Sequence, residues 1–241
     1  MTKLIFLDLD KTLIGEDYSP EPARPIIEKL ISLGFHIAFN SSKTFKEQLY
    51  YAREFGIDAI LIVENGSAIY FPKNVMDGQN SDAEGFERLK LGVDYGVILR
   101  ELDSMADRYC LKYYGNSTLE EVIGFTGLPE ALARLAMQRE FSETVFRYCS
   151  DGFVAGLEGR GFRVTRGSRF LTVTGQVDKG TAARIVLERF RQKGNVFSVA
   201  VGDGENDIPM LEVVDLAIVV GDLDYDAVHV DKIERIFELL S

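Results

Sequence analysis

Asp8 and Asp10 stand two residues apart at the end of the apolar run KLIFLDL, within the stretch FLDLDKTL at 6–13. Residues two apart on an extended strand point to the same side, so both carboxylates converge where the strand ends. A second acidic cluster, GDGEND at 202–207, follows the apolar run VFSVAV. Gly202 and Gly204 permit a tight turn that aims Asp203 and Asp207 at the same mouth as Asp8. Four carboxylates share a site comfortably only with a cation. Mg²⁺ is the expected one, because it needs two or three protein oxygens beside waters and phosphate oxygens. A third polar cluster, Asn40-Ser41-Ser42-Lys43-Thr44, follows another apolar run and offers donors to an anion. A lone aspartate at a strand end is more often a turn cap, and Asp207 is equally suited to capping the helix IPMLEVV. Independent caps would rarely align at three strand ends.

Such clusters need elements that end together. KLIFLDL is continuously apolar, as a strand buried on both faces is. IIEKLISLG has helical spacing and a terminal glycine, and HIAFN is a second buried strand. A helix over 44–54, a strand in AILIVEN and a short partner in SAIYF follow. Late in the chain, a helix over 179–193, the strand VFSVAVG, the short helix NDIPMLEVV, the strand DLAIVVG and the helix DKIERIFELL resume the alternation. This predicts an α/β fold, a parallel sheet with helices on both faces. Such sheets bind ligands beyond the carboxyl ends of their strands, where the clusters fall.

The middle of the chain is richer in glycine and charge. GLPEALARLAMQREFSE, started by Pro129, predicts one helix, and VFRYC and RVTRGSRFLTVTG predict short strands. The expected organisation is a core formed by 1–81 and 173–241 with an inserted α+β domain over 82–172.

Composition narrows the function. The chain has 241 residues, 46% hydrophobic, and a net charge of -11, which argues against nonspecific nucleic-acid binding. It has no run approaching the ~20 apolar residues of a membrane span, and no basic-then-apolar leader with a cleavage site. A soluble, cytoplasmic protein is expected. Cys110 and Cys149 have neither metal-like nor redox-like spacing and are expected to be buried thiols.

Taken in order, Asp8-Leu9-Asp10-Lys11-Thr12, Ser41, Lys179 and 202–207 resemble the four motifs of the haloacid dehalogenase superfamily of phosphohydrolases. ENGSAIY at 64–70 resembles the subgroup with a large α/β cap between the second and third motifs. The resemblance implies a Rossmann-like core and a capped, Mg²⁺-dependent phosphatase. Asp8 would be the nucleophile forming an aspartyl-phosphate, and Asp10 the acid that protonates the leaving oxygen and then takes a proton from water. The ion would be held by the Asp8 carboxylate, the Asp10 main-chain carbonyl and Asp203, with Asp207 a ligand or a support for the ligands. Lys179 would neutralise charge, Ser41 would donate to a phosphate oxygen, and Asn206 would orient Lys179 or its loop. Lys11 departs from the family, which usually has glycine there. An ordinary loop φ with the ammonium in solvent is expected, the alternative being a charge facing the cleft.

A narrower resemblance, in SSKT at 41–44, in 127–143 and in 166–180, is to phosphatases that act on mannosyl-3-phosphoglycerate in the synthesis of a compatible solute. It implies a small phosphorylated sugar acid as substrate, with Ser42, Lys43, Ser168, Arg169 and Asn206 binding it. Arg169 is favoured for a carboxylate because guanidinium can make two parallel hydrogen bonds. Arg166, Glu140 and Ser142 are further candidates. The rivals are another capped phosphatase of the superfamily, acting on a different sugar phosphate or phosphoglycolate-like acid, and a phosphoacceptor receiver module.

Overall fold

The computed structural model of the chain describes residues 1–73, 75, 84–167 and 169–240. Its strands, in chain order, are β1 (Thr2–Leu7), β2 (Phe35–Asn40), β3 (Ile60–Val63), β4 (Ala68–Pro72), β5 (Phe86–Lys90), β6 (Lys112–Tyr113), β7 (Ser142–Arg147), β8 (Arg163–Arg166), β9 (Leu171–Thr174), β10 (Val196–Gly202), β11 (Leu216–Val220) and β12 (Val228–Val230). Among the described residues they form two sheets, ordered β12-β11-β10-β1-β2-β3-β4-β5 and β6-β7-β9-β8.

β1 lies inside the large sheet because its residues are apolar on both faces. Leu4 and Phe6 pack with Ala182, Ala183 and Val186 of the helix Lys179–Arg191. Ile5 and Leu7 join the opposite cluster, with Ile26, Ile27 and Leu30 of the helix Arg24–Ser32. Each such side chain stabilises by about 1.5–3 kcal/mol when fully buried. β1 pairs in parallel with β2 on one side and β10 on the other. The chain therefore winds away from β1 in both directions, which leaves a crevice at the carboxyl ends of β1 and β10.

The insertion is more divided than the sequence suggests. The small sheet has its own core, where Val145 and Val173 meet Ile98 and Leu102 of the helix Tyr95–Asp103 and Phe153 and Leu157 of the helix Gly152–Glu158. The helices Leu119–Thr126 and Glu130–Ala136 instead share a cluster with the large sheet, through Val122, Leu132, Ala133 and Ala136. The helix expected over 127–143 stops at Ala136, and Ser142 already belongs to β7. Its continuation is diverted because the main-chain N–H groups of Glu140 and Phe141 donate to the Glu64 carboxylate, a partner invisible to local periodicity.

The expected boundary between 81 and 82 lies outside the described residues. Strand β5, which follows it, pairs with β4 and belongs to the large sheet. The expected boundary between 172 and 173 falls inside β9 of the small sheet. Cys110 and Cys149 are both exposed rather than buried. They sit where backbone leaves regular structure, Cys110 in a left-handed cap after the helix Ala106–Tyr109 and Cys149 just past β7. Among the described residues no helix is long and apolar enough to cross a membrane.

Candidate active site

The first site residue stands one position beyond the end of β1. Asp8 N–H donates to Val201 O at 3.0 Å, which ties it to β10, and the side chain is buried. Beyond it the chain reverses tightly, with Leu13 and Ile14 N–H both donating to Leu9 O and Lys11 N–H donating to Ile14 O at 2.8 Å. The reversal puts Lys11 at φ 63. The ordinary loop conformation expected of it is thus corrected: the turn demands a left-handed residue, for which glycine is best suited.

Lys179 arrives on the first turn of the helix Lys179–Arg191. Asp178 caps this helix, accepting from the Thr181 N–H at 2.7 Å and the Thr181 hydroxyl at 2.8 Å. Two glycines let the helix start come close. A Cβ at Gly66 would stand 2.1 Å from Asp178 O, and one at Gly180 2.1 Å from Pro209 O. The Lys179 ammonium donates to Asp8 Oδ1 at 2.7 Å and to Asp207 Oδ1 at 2.5 Å. Burial alone would lower its pKa, but Asp207 and Asp8 outweigh this and hold it above the ordinary lysine value.

Asp207 divides its carboxylate between two tasks. Oδ1 takes Lys179, while Oδ2 accepts from the N–H groups of Asp203 and Gly204, each at 3.0 Å. Asp203 Oδ1 in turn accepts from the Thr12 hydroxyl at 3.0 Å. Burial pushes the Asp8 carboxyl up to about 8, with Asp207 and Asp203 repelling its charge and Lys179 opposing them. Asp203 is likewise raised, first by burial and then by Asp207. Carboxylate oxygens of Asp8, Asp203 and Asp207 lie within 4.8 Å of one another. Asp8 and Asp207 are buried and Asp203 half-buried; their hard, mutually repelling oxygens suit a divalent cation such as Mg²⁺, with Asp8 and Asp203 the freer donors because Asp207 already accepts on both oxygens.

The loop after β2 supplies the opposite wall. Ser41 is wholly buried, and its hydroxyl has no partner among the described residues. Lys43 is 4% exposed and stands 2.9 Å from Asp10 Oδ1 and 3.4 Å from Glu47 Oε1. Thr44 caps the helix Phe45–Phe55, with its side chain and that of Glu47 bonding reciprocally. That rigid start fixes the loop.

A cavity of about 380 Å³ opens between the large sheet and the insertion, with Asp8, Asp10, Lys43 and Asp203 on one side and Arg169 and Thr172 on the other. Ser42 and Asn206 also line it. Asn206 does not reach Lys179; it donates to Asn65 Oδ1 at 3.4 Å. Lys179 is steadied instead by Asn40, whose amide donates to the Lys179 carbonyl at 3.0 Å. Arg169 donates to Thr126 O and lies over the Phe170 ring. Ser168 lies outside the described residues. Arg166, Glu140 and Ser142 do not line this cavity. Arg166 is exposed and bonds Tyr148, Glu140 bonds Tyr70 and Arg88, and Ser142 is buried against Glu64 and Arg139.

Sequence reasoning missed Arg139. Its Nε donates to Ser142 O at 3.0 Å, and its Nη2 donates to Ser142 Oγ at 2.7 Å and across to Ser42 O at 3.1 Å, joining the insertion to the loop after β2. Burial is opposed by Glu64, whose charge helps hold Arg139 above the ordinary arginine value. Glu64 and Asn65 take φ values of 50 and 57, the left-handed region that side chains normally avoid. The only sequence signal for this junction was the ENG of 64–66.

The sequence model of the haloacid dehalogenase-like hydrolase family matches residues 5–90 and 161–230. Over the whole of both chains, the sequence is 48% identical to a mannosyl-3-phosphoglycerate phosphatase of Pyrococcus horikoshii. It is 49% identical to the protein of that name from Pyrococcus furiosus, over 94% of each chain. A glucosyl-3-phosphoglycerate/mannosyl-3-phosphoglycerate phosphatase of Persephonella marina is 37% identical, over 95% of this chain and 90% of its own. Among solved structures, a Thermoplasma acidophilum protein superposes with a TM-score of 0.70 at 19% identity, covering 100% of this chain and 98% of its own. A haloacid dehalogenase-like hydrolase of B. subtilis gives 0.67 at 14% identity and 98% coverage of each. These two likenesses show the fold.

Proposed function

The chain belongs to the haloacid dehalogenase-like hydrolase family, and on that premise we propose that it hydrolyses mannosyl-3-phosphoglycerate to mannosylglycerate and phosphate. The observation that carries this reading is the Lys179 ammonium held between Asp8 and Asp207 at the mouth of β1 and β10. A buried carboxylate with a fixed cation beside it can approach a phosphate dianion, because the cation offsets the repulsion.

In this reading Asp8 attacks phosphorus, the bond from phosphorus to the glycerate oxygen breaks, and an aspartyl-phosphate forms. Asp10 gives a proton to the leaving oxygen and recovers one from the water that hydrolyses the intermediate. The buried, unpartnered Ser41 hydroxyl donates to a phosphate oxygen. Mg²⁺, held by the Asp8 carboxylate, the Asp10 carbonyl and Asp203, would supply positive charge to the transferring phosphoryl group. Asp207 spends both oxygens on Lys179 and the 203–204 backbone, so we assign it to support rather than ligation. Lys43 and Arg169 offer cations to the glycerate carboxylate, and Ser42 and Asn206 line the same cavity. We place the enzyme in the cytoplasm with its phosphorylated substrate.

Asp8→Asn is expected to abolish turnover with Mg²⁺ present, and a chelator to abolish it in the intact protein. Retained activity in either assay refutes the mechanism. A panel of phosphate esters ranked by kcat/KM tests the substrate. Because the Persephonella marina relative carries both sugars in its name, the glucosyl ester belongs in that panel.

A further inference from the structure

Strand alternation sorts the side chains of the small sheet onto two faces. Leu171 and Val173 of β9, with Val145 of β7 and Val164 of β8, pack into the core of that sheet. Their neighbours Thr172, Thr144 and Thr165 face the other way, and all three line the cavity that reaches Asp8. Register puts them in one row: Thr144 is the Cα partner of Thr172, and Thr172 the partner of Thr165. With neighbouring strands ~4.8 Å apart, the row spans roughly 10 Å, about the reach of a hexose ring and its hydroxyls.

None of the three hydroxyls hydrogen-bonds a described residue; Thr172 is 6% exposed, Thr144 and Thr165 are half-buried, and all three open onto the cavity. Hydroxyls that open onto a cavity in a row are free to exchange water for the polar groups of a ligand. Arg139 points the same way independently. It is 7% exposed, lines the same cavity, and commits Nε and Nη2 to Ser142 and Ser42, while its Nη1 has no hydrogen-bond partner among the described residues.

We propose that the row Thr144, Thr172, Thr165 is the ledge that recognises the sugar ring, with Arg139 at the charged end beside Lys43; this rests on the reading of the substrate as a glycosylated phosphoglycerate. Threonine fits the task. Each hydroxyl both donates and accepts, so it can meet a sugar hydroxyl in either sense. Its β-branched stem is stiff at χ1, so little freedom is lost when the ligand binds. The row is also uncharged, so it selects the neutral sugar without competing for phosphate or metal. A merely structural role, as cross-strand Thr pairs in a sheet, is the competing account.

Valine separates the two, because it keeps the shape and the strand preference and removes only the hydroxyl. Thr172→Val and the triple Thr144→Val/Thr165→Val/Thr172→Val are to be assayed with mannosyl-3-phosphoglycerate and with 3-phosphoglycerate, which lacks the sugar. The ratio of the two kcat/KM values should fall about 3- to 10-fold for Thr172→Val and roughly 50-fold for the triple variant, mainly through KM of the sugar ester. An unchanged ratio, or an equal loss on both esters, overturns the ledge and leaves the proposed function standing if the wild type cleaves the mannosyl ester. If the wild type ignores that ester but cleaves another hexose phosphate with the same valine sensitivity, the substrate reading falls and the ledge stands. A wild type that cleaves no sugar ester better than 3-phosphoglycerate overturns both.

Discussion

The Lys43 ammonium stands 2.9 Å from the Asp10 carboxylate, so the side chain read as proton carrier is tied to a cation on the cavity wall. Burial opposes the Lys43 charge, but Asp10 and Glu47 outweigh it and hold its pKa well above the ordinary value. Lys43→Met removes that cation and leaves Glu47, 3% exposed, without it. The expected loss is about 3 kcal/mol in urea unfolding, with KM for the phosphoglycerate ester raised at least ~10-fold.

Lys179→Met should be far more damaging to rate. It leaves Asp8 and Asp207 facing each other unneutralised, and it removes the charge that offsets the incoming phosphate. Steady-state assays with saturating Mg²⁺ are expected to show kcat lower by ~10³-fold or more. A loss under tenfold would contradict the role given to this ammonium.

Asp178 makes stability depend on acid. Burial would raise its pKa, but the Thr181 donors and Arg163 outweigh burial, and the folded value lies below the ordinary 3.8. A depressed carboxyl contributes fully above its unfolded pKa, and the contribution is lost as pH falls through the folded one. Asp178→Ala should therefore cost about 1 kcal/mol near neutral pH, and the gap from wild type should close below pH ~4. Chemical denaturation across that range reads it directly.

Lys11→Gly should stabilise the protein. At φ 63 a side chain costs about 1–2 kcal/mol, and glycine gives back roughly 0.5–1 through its freer unfolded chain. The net gain, centred on about 0.5–1 kcal/mol, should appear as a melting temperature higher by roughly 1–4 °C. Lys11 also lines the cavity, so the same variant tests its charge: an unaltered KM for the phosphoglycerate ester excludes a part in binding.

The parts of the site carried by continuous chain were the legible ones. Asp8, Asp203 and the loop after β2 follow from apolar runs that end in polar clusters, whereas Lys179 came from the resemblance alone; Asp8, Asp203, Ser42 and Lys43 line one cavity, and Lys179 bonds Asp8 beneath it. What local pattern could not show was long-range exchange of partners. Asn206 was expected to orient Lys179 or its loop; it bonds Asn65, and Asn40 holds the Lys179 carbonyl from the end of β2. Arg139 sat inside what periodicity read as a helix, and only the distant Glu64 carboxylate explains why the helix ends early. Lys11 was misjudged because φ is set by how tightly the chain must reverse, which residue type alone does not reveal.

The pairing of β1 with both β2 and β10 also governs the order of assembly during synthesis. β2 follows β1 closely, but β10 begins only at Val196, so one edge of β1 remains open on the ribosome while the insertion is made. That edge is apolar, and an unpaired apolar strand is a template for association with other chains. Asp8 and Lys179, 171 residues apart, meet only after this gap has closed. A nascent chain halted before residue 179 carries Asp8 with no lysine to oppose it, and it is at this stage of its life that the protein most needs protection from its own copies.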